Sequence, residues 1–193
     1  LAGIVSSTDA SGLYGYWELM TFASYFLVVH EGRRSAFDAG LKYYVMCAGG
    51  ALFMLPGLLM LGEGFVPTPV IQAAFVLCLM GFGVKAGLVP LHSWLPDAHP
   101  AAPSSVSAPL SGIITKMGIF GIVAVMLRRP MVSTLPGLFG LSWLGTGLVF
   151  TGAATLILGE VMALRQDDIK RMLAYSTLGQ IGEITLVLGI GTW

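Results

Sequence analysis

The 193-residue chain has little charge and almost no cysteine. Ten basic and ten acidic residues cancel, and charged residues make up only 10% of the sequence. That balance argues against nucleic acid and against any strongly polarised partner surface. Cys47 and Cys78 each stand alone in an apolar run, with no CxxC and no histidine at ligand spacing. A disulfide framework, a zinc site and an iron–sulfur site are therefore not encoded, and both thiols read as small core residues. A phosphate-binding loop is missing too. The segment GFGVKAG (81–87) has glycines around a lysine, but it lacks the GxxxxGK[ST] spacing and a preceding strand. No signal peptide is seen, the chain starts at Leu1 rather than Met, and it ends at Trp193 directly after an apolar run. These features suggest a piece of something longer.

What the sequence has is apolar length. Hydrophobic residues make up 55% of it and the mean hydropathy is +0.83, well outside the range of soluble domains. A span of roughly 20 residues crosses the hydrocarbon core. Pro, Gly and charge clusters divide the chain into about six such stretches. They lie near 10–30, 37–61, 69–92, 104–127, 137–163 and 168–191. The expected fold is an all-α, polytopic transmembrane helix bundle, a single partial domain over 1–193 with Pro-interrupted helices carrying buried lysines. Arg33, Arg34, Lys42, Arg165, Lys170 and Arg171 fall at one side, against Arg128 and Arg129 at the other, so the positive-inside rule brings the first helix in from the outer face. Glycines such as Gly83, Gly87, Gly118, Gly121, Gly179 and Gly182 are expected to let helix backbones approach closely.

Two lysines fall inside these spans: Lys85 in VIQAAFVLCLMGFGVKAGLVP and Lys116 in SVSAPLSGIITKMGIFGIVAVML. A charge at mid-bilayer costs roughly 2.5 to 3.5 kcal/mol on insertion scales, so an intramembrane lysine marks a functional site by default. At ~1.5 Å of rise per residue, Lys85 lies roughly 22 to 24 Å from the outer end of its span, Lys116 roughly 18 Å from the inner end of the next, and Glu18 about 12 Å in. A carboxylate near the Lys85 ammonium holds its proton, and withdrawing that carboxylate favours release into ordered water toward Lys116. The distance from Glu18 to Lys85 can thus act as a valve. Pro90 and Pro109, read as helical, would free the carbonyls of Ala86 and Ser105 and open the backbone beside each lysine. His92, seven residues after Lys85, would share its face and extend a path to the inner side. The plainer alternatives are structural ion pairs for the lysines, helix packing for Glu18, turn-holding for His92 and His99, and loop bracing for Asp97. Glu183 shares a helical face with Ser176 and Gln180, a polar stripe that would line a water file, face Lys116 or serve packing. Asp168, Lys170 and Arg171 form a juxtamembrane cluster that would anchor a helix start or couple to a neighbouring element.

The segment PLHSWLPDAHPAAPSSVSAPLSG, with the upstream VKAGL, the downstream ITKMGIFG, WELM and RQDDIKRMLAYSTLGQIG, resembles the antiporter-like proton-translocating subunits. That family includes respiratory complex I (NADH-quinone oxidoreductase), membrane-bound hydrogenase and formate hydrogenlyase, and multisubunit sodium/proton antiporters. The resemblance covers nearly all of the chain. It implies that Glu18 pairs with Lys85, that Lys116 is the next relay, and that His92 and His99 assist proton entry or hold the loop. It also implies inverted repeats within a bundle of about fourteen helices, of which this chain supplies only part. The implied function is a non-redox pumping subunit of an energy-converting oxidoreductase, with flavin, iron–sulfur or nickel centres confined to partner subunits and no cofactor in this chain. The alternative is a sodium/proton antiporter subunit without redox chemistry. The implied partners are other membrane subunits, the lipid bilayer and protons, or sodium in the antiporter case, and the implied location is a prokaryotic inner membrane.

Overall fold

The computed structural model describes residues 1–62, 67–127, 137, 138 and 141–191. Arg128 and Arg129, counted above in the charge balance, lie outside the described residues. The helices are α1 (Ala2–Ser6), α2 (Ala10–Val28), α3 (Arg34–Met60), α4 (Thr68–Ala86), α5 (Leu95–Ala101), α6 (Ser104–Pro109), α7 (Thr115–Gly121), α8 (Trp143–Ala163) and α9 (Ile169–Ile190). Two π-helical turns, Leu110–Ile114 and Ile122–Leu127, join α6 and α7 into one long span. Among the described residues, five helices are long and apolar enough to cross a membrane: α3, α4, Ser104–Met126, α8 and α9. The chain is an all-helical membrane bundle among its described residues. The helix α2 falls short of that measure because its inward face carries Glu18, Thr21 and Ser24 in place of apolar side chains.

Local chemistry explains the ends of these helices. Asp9 caps α2 by accepting from the Gly12 N–H at 2.9 Å, and Asp168 caps α9 by accepting from Lys170 N at 2.8 Å. The third span differs from the sequence expectation: α4 stops at Ala86, six residues early. Gly87 takes a left-handed conformation at φ +84°, and the N–H of Leu88 returns to the Gly83 carbonyl at 2.8 Å, the closure that glycine at this position favours. Pro90 and His92 are therefore outside any helix, and Gly87 both caps α4 and allows a close approach to α9, where a Cβ would come 2.9 Å from Leu178 Cδ2. Pro109 does lie in a helix, where its ring cannot donate to Ser105, and the backbone shifts directly into the first π turn.

Packing rests on glycine. Gly118 and Gly121 of α7 seat against Ala86 and Phe82 of α4. Gly145, Gly152 and Gly159 of α8 recur every seven residues and face Gly189, Gly182 and Gly179 of α9. A methyl added at Gly152 would come within 2.5 Å of the Leu186 backbone nitrogen, so these two helices touch along their backbones.

Candidate functional site

Lys85 occupies the last turn of α4 and is completely buried. Its ammonium lies at the negative end of a helix dipole, which favours a cation. Nζ donates to Thr21 Oγ1 of α2 at 2.8 Å and to the Tyr43 hydroxyl of α3 at 2.9 Å, and lies 4.9 Å from the centre of the Tyr43 ring. Each hydroxyl has a further partner. Thr21 Oγ1 donates to the Trp17 carbonyl at 3.0 Å, and the Tyr43 hydroxyl meets Ser24 Oγ at 2.5 Å. Tyr43 is nine residues into α3, about 14 Å from its start at helical rise, so α4 ends inside the bundle and not at its surface. Loop 87–94 fills the volume above it. Trp94 crosses this loop to donate its indole N–H to the Val84 carbonyl at 2.7 Å and packs its ring 4.8 Å from that of Tyr43. The one segment thus satisfies a carbonyl at the buried end of α4 and holds the tyrosine that holds Lys85.

Glu18 lies one turn before Thr21 on the same face of α2. Its Oε1 is buried and has no hydrogen-bond partner, and no ion pair joins it to Lys85 within 4.0 Å. The two residues are neighbours without direct contact. Lys116 is half-buried, and its Nζ donates to the Ser111 carbonyl at 3.0 Å, which also accepts from Thr115 Oγ1 at 2.9 Å. The first π turn supplies that carbonyl, and the packing of Gly118 on Ala86 puts the two lysine-bearing helices side by side.

At one end of the bundle, Asp97 of α5 pairs with Lys42 of α3 at 2.7 Å and with Arg171 of α9 at 3.2 Å, lining a cleft with Arg33, Asp38 and Asp168. Arg171 Nε also reaches the Pro96 carbonyl, and Lys170 Nζ donates to the Ala102 carbonyl at 2.9 Å. The juxtamembrane cluster therefore clasps the α5 loop and caps α9. All three charges of the clasp are partly exposed, and such pairs are worth up to ~1 kcal/mol each. Asp97→Asn in the full-length protein should lower its melting temperature in detergent by up to about 2 °C, and the loss should shrink in high salt. A salt-independent loss would mean that the carboxylate acts by packing.

His99 is 1% exposed; its Nδ1 bonds Ser107 Oγ at 2.7 Å, and its Nε2 is buried without a partner. It lies in α5, outside the membrane-crossing helices. Burial first, and the Lys170 charge second, push its imidazole down to about 4. Between the ordinary value of 6.5 and that figure, the unfolded chain holds a proton here that the folded chain does not. Stability is therefore lost as pH drops through this window, by up to ~1.4 kcal/mol per unit. The melting temperature of full-length protein should drop more steeply between pH 6.5 and 5 than that of His99→Gln, and equal slopes would contradict this.

His92 is half-buried with an unpartnered Nδ1, and the early end of α4 takes it off the helical face of Lys85. Glu183 and Gln180 are exposed on the outer side of α9, and no ion pair joins Glu183 to Lys116. Glu160, a carboxylate the sequence reading passed over, lies across Gly179 on the same helix pair. Thr21, Ser24 and Tyr43 were passed over as well. The spacing of Glu18, Thr21 and Ser24 along one face of α2 could have pointed to the first two. Nothing local marks Tyr43, which meets Lys85 only through packing.

Fold and site together define a polytopic membrane protein with a buried, hydroxyl-held lysine facing an unpartnered carboxylate. Residues 7–193 match the model of the family described as NADH:quinone oxidoreductase/Mrp antiporter, TM, and the chain belongs to that family. It is 37% identical over 186 residues to hydrogenase-4 component B of Escherichia coli, covering 90% of this chain and 27% of that protein. It is 32% identical over 208 residues to NADH-quinone oxidoreductase subunit N of Desulforudis audaxviator, covering 99% of this chain and 40% of the other. Among solved structures, the membrane-bound sulfane sulfur reductase, an archaeal respiratory membrane complex, contains a chain that superposes with a TM-score of 0.83 at 28% identity, over 97% of this chain and 40% of that one. The chain thus spans well under half the length of these relatives.

Proposed function

We propose that this chain is part of a proton-translocating membrane subunit of an energy-converting respiratory oxidoreductase, in which Glu18, Lys85 and Lys116 relay protons. The observation that carries this reading is Lys85. A fully buried ammonium in a membrane bundle, one helical turn from a carboxylate oxygen with no partner, is a poor structural ion pair and a good switch. When Glu18 engages Lys85 the proton is held, and when it withdraws, burial favours release toward Lys116 on the adjoining helix. His92 in loop 87–94 and His99 in α5 are the candidates for proton entry. Glu183 on the outer face of α9 would take part only through a neighbouring element.

Electron transfer belongs, in this reading, to partner subunits holding flavin, iron–sulfur or nickel centres, with the complex in a prokaryotic inner membrane. The hydrogenase-4 relative, at 37% identity, favours the hydrogen-linked branch. The family description also admits a sodium/proton antiporter subunit. Proton uptake by sealed vesicles containing the complete complex, with wild type beside Lys85→Ala and Glu18→Ala, tests the relay. Uptake driven by a redox substrate supports the oxidoreductase, and uptake driven only by a sodium gradient supports the antiporter.

A further inference from the structure

Every group that holds the Lys85 ammonium in this structure is a neutral one. Thr21 and Tyr43 accept its hydrogen bonds, the Tyr43 ring faces it, and the Cys47 thiol lies beside it on α3. Glu18 is the carboxylate that faces Lys85 from α2 and Tyr43 and Cys47 are its titratable neighbours on α3, while α4 itself supplies no other charge. An ammonium ordinarily prefers a carboxylate to hydroxyls, because the carboxylate adds the Coulomb attraction of a full opposite charge to the hydrogen bond. Here two hydroxyls, an aromatic face and the end of a helix dipole act together at the position Nζ occupies. The buried Glu18 Oε1 meanwhile accepts nothing. Two seats for one ammonium therefore lie next to each other. Three residues of helix separate Thr21 from Glu18, roughly 4.5 Å of rise, within the swing of a four-methylene side chain.

We propose that Thr21 and Tyr43, with Ser24 bonded behind Tyr43, are positioning residues that form a second seat for Lys85. Turnover moves the ammonium one helical turn along α2, between this seat and the Glu18 carboxylate. The proposal rests on the relay reading above and specifies its disengaged state. A switch needs two states of comparable free energy, and a lysine offered only Glu18 would stay there. The hydroxyl pair supplies the competing state. Ser24 sets its strength, because its short bond fixes the Tyr43 hydroxyl where Nζ can reach it. Trp94 fixes the ring, which makes the PLHSWLP loop part of the same seat.

The test uses the full-length protein in its complete complex, reconstituted in sealed vesicles. Tyr43→Phe keeps the ring against Trp94 and removes only the hydroxyl. Thr21→Val removes the other hydroxyl at nearly constant volume, and Thr21→Ser restores it. We expect Tyr43→Phe and Thr21→Val each to lower protons moved per turnover at least threefold, with Thr21→Ser near wild type. The infrared carboxylate band assigned through Glu18→Gln should shift in resting Tyr43→Phe, as Lys85 moves onto Glu18. An unchanged band and unchanged stoichiometry in both variants, with Lys85→Ala inactive, would overturn the seat and leave the relay standing. An equal loss in Thr21→Ser and Thr21→Val would mark a packing role and overturn it as well. Full activity of Lys85→Ala would remove the relay and the seat together.

Discussion

Lys85→Ala should reduce proton uptake by the assembled complex at least tenfold while leaving the amount of complex in the membrane near normal. Both halves of this expectation follow from the bonds around Nζ. Removing the ammonium takes one donor from Thr21 and one from Tyr43, but Thr21 Oγ1 still donates to the Trp17 carbonyl and the Tyr43 hydroxyl still meets Ser24. No buried hydroxyl is orphaned. The lost charge was itself expensive to bury, so its removal offsets part of the cavity left by the side chain. Transport has no such compensation, because alanine cannot carry a proton. Glu18→Ala should fall in the same direction. Proton uptake in sealed vesicles, normalised to the complex measured on native gels, checks both variants, and uptake above half of wild type in Lys85→Ala would sink the relay.

Gly152→Leu should do the opposite and abolish assembly before transport can be measured. A side chain at Gly152 meets backbone on α9, namely the Leu186 nitrogen at 2.5 Å and the Gly182 carbonyl at 2.9 Å, and backbone cannot turn aside as a side chain would. The helices must separate, and the contacts of Gly145 with Gly189 and of Gly159 with Gly179 open with them. Overpacking in a tight core costs roughly 1 to 3 kcal/mol, more when backbone must move. A loss of that size lowers the folded-to-unfolded ratio roughly 5- to 150-fold, and cellular quality control then removes the destabilised chain before it assembles. Gly147→Leu is the control, since nothing lies within 4 Å of the added carbon there. Native gels and detergent melting curves should show Gly147→Leu assembled and Gly152→Leu absent. Equal amounts of both would show that the glycine seam is dispensable.

The mid-membrane lysines were legible because apolar length and a buried charge are properties of residues counted along the chain. Glu18, Lys85 and Lys116 needed no packing to be noticed, and the run from Lys85 to Ser104 carried the family. The α4 terminus was misjudged because hydropathy continues past Ala86, whereas the helix is ended by the left-handed Gly87 and closed by Leu88 and Trp94. Hydropathy does not register backbone chirality. His92 moved with that boundary. The stripe of Ser176, Gln180 and Glu183 was correctly placed on one face, but periodicity says which residues share a face and not what the face meets.

A membrane-spanning helical bundle, its family and its three mid-membrane ionisable residues thus follow from composition, spacing and motif. Hydrophobic length and the cost of a charge in lipid act on each segment separately. The partners of Lys85 depend on packing instead. Tyr43 is 42 residues distant in sequence and Thr21 is 64. They reach the ammonium only because α4 ends inside the bundle and glycine lets its neighbours close around it. Hydrogen bonds require placement within tenths of an ångström, which no pattern along a single helix can supply.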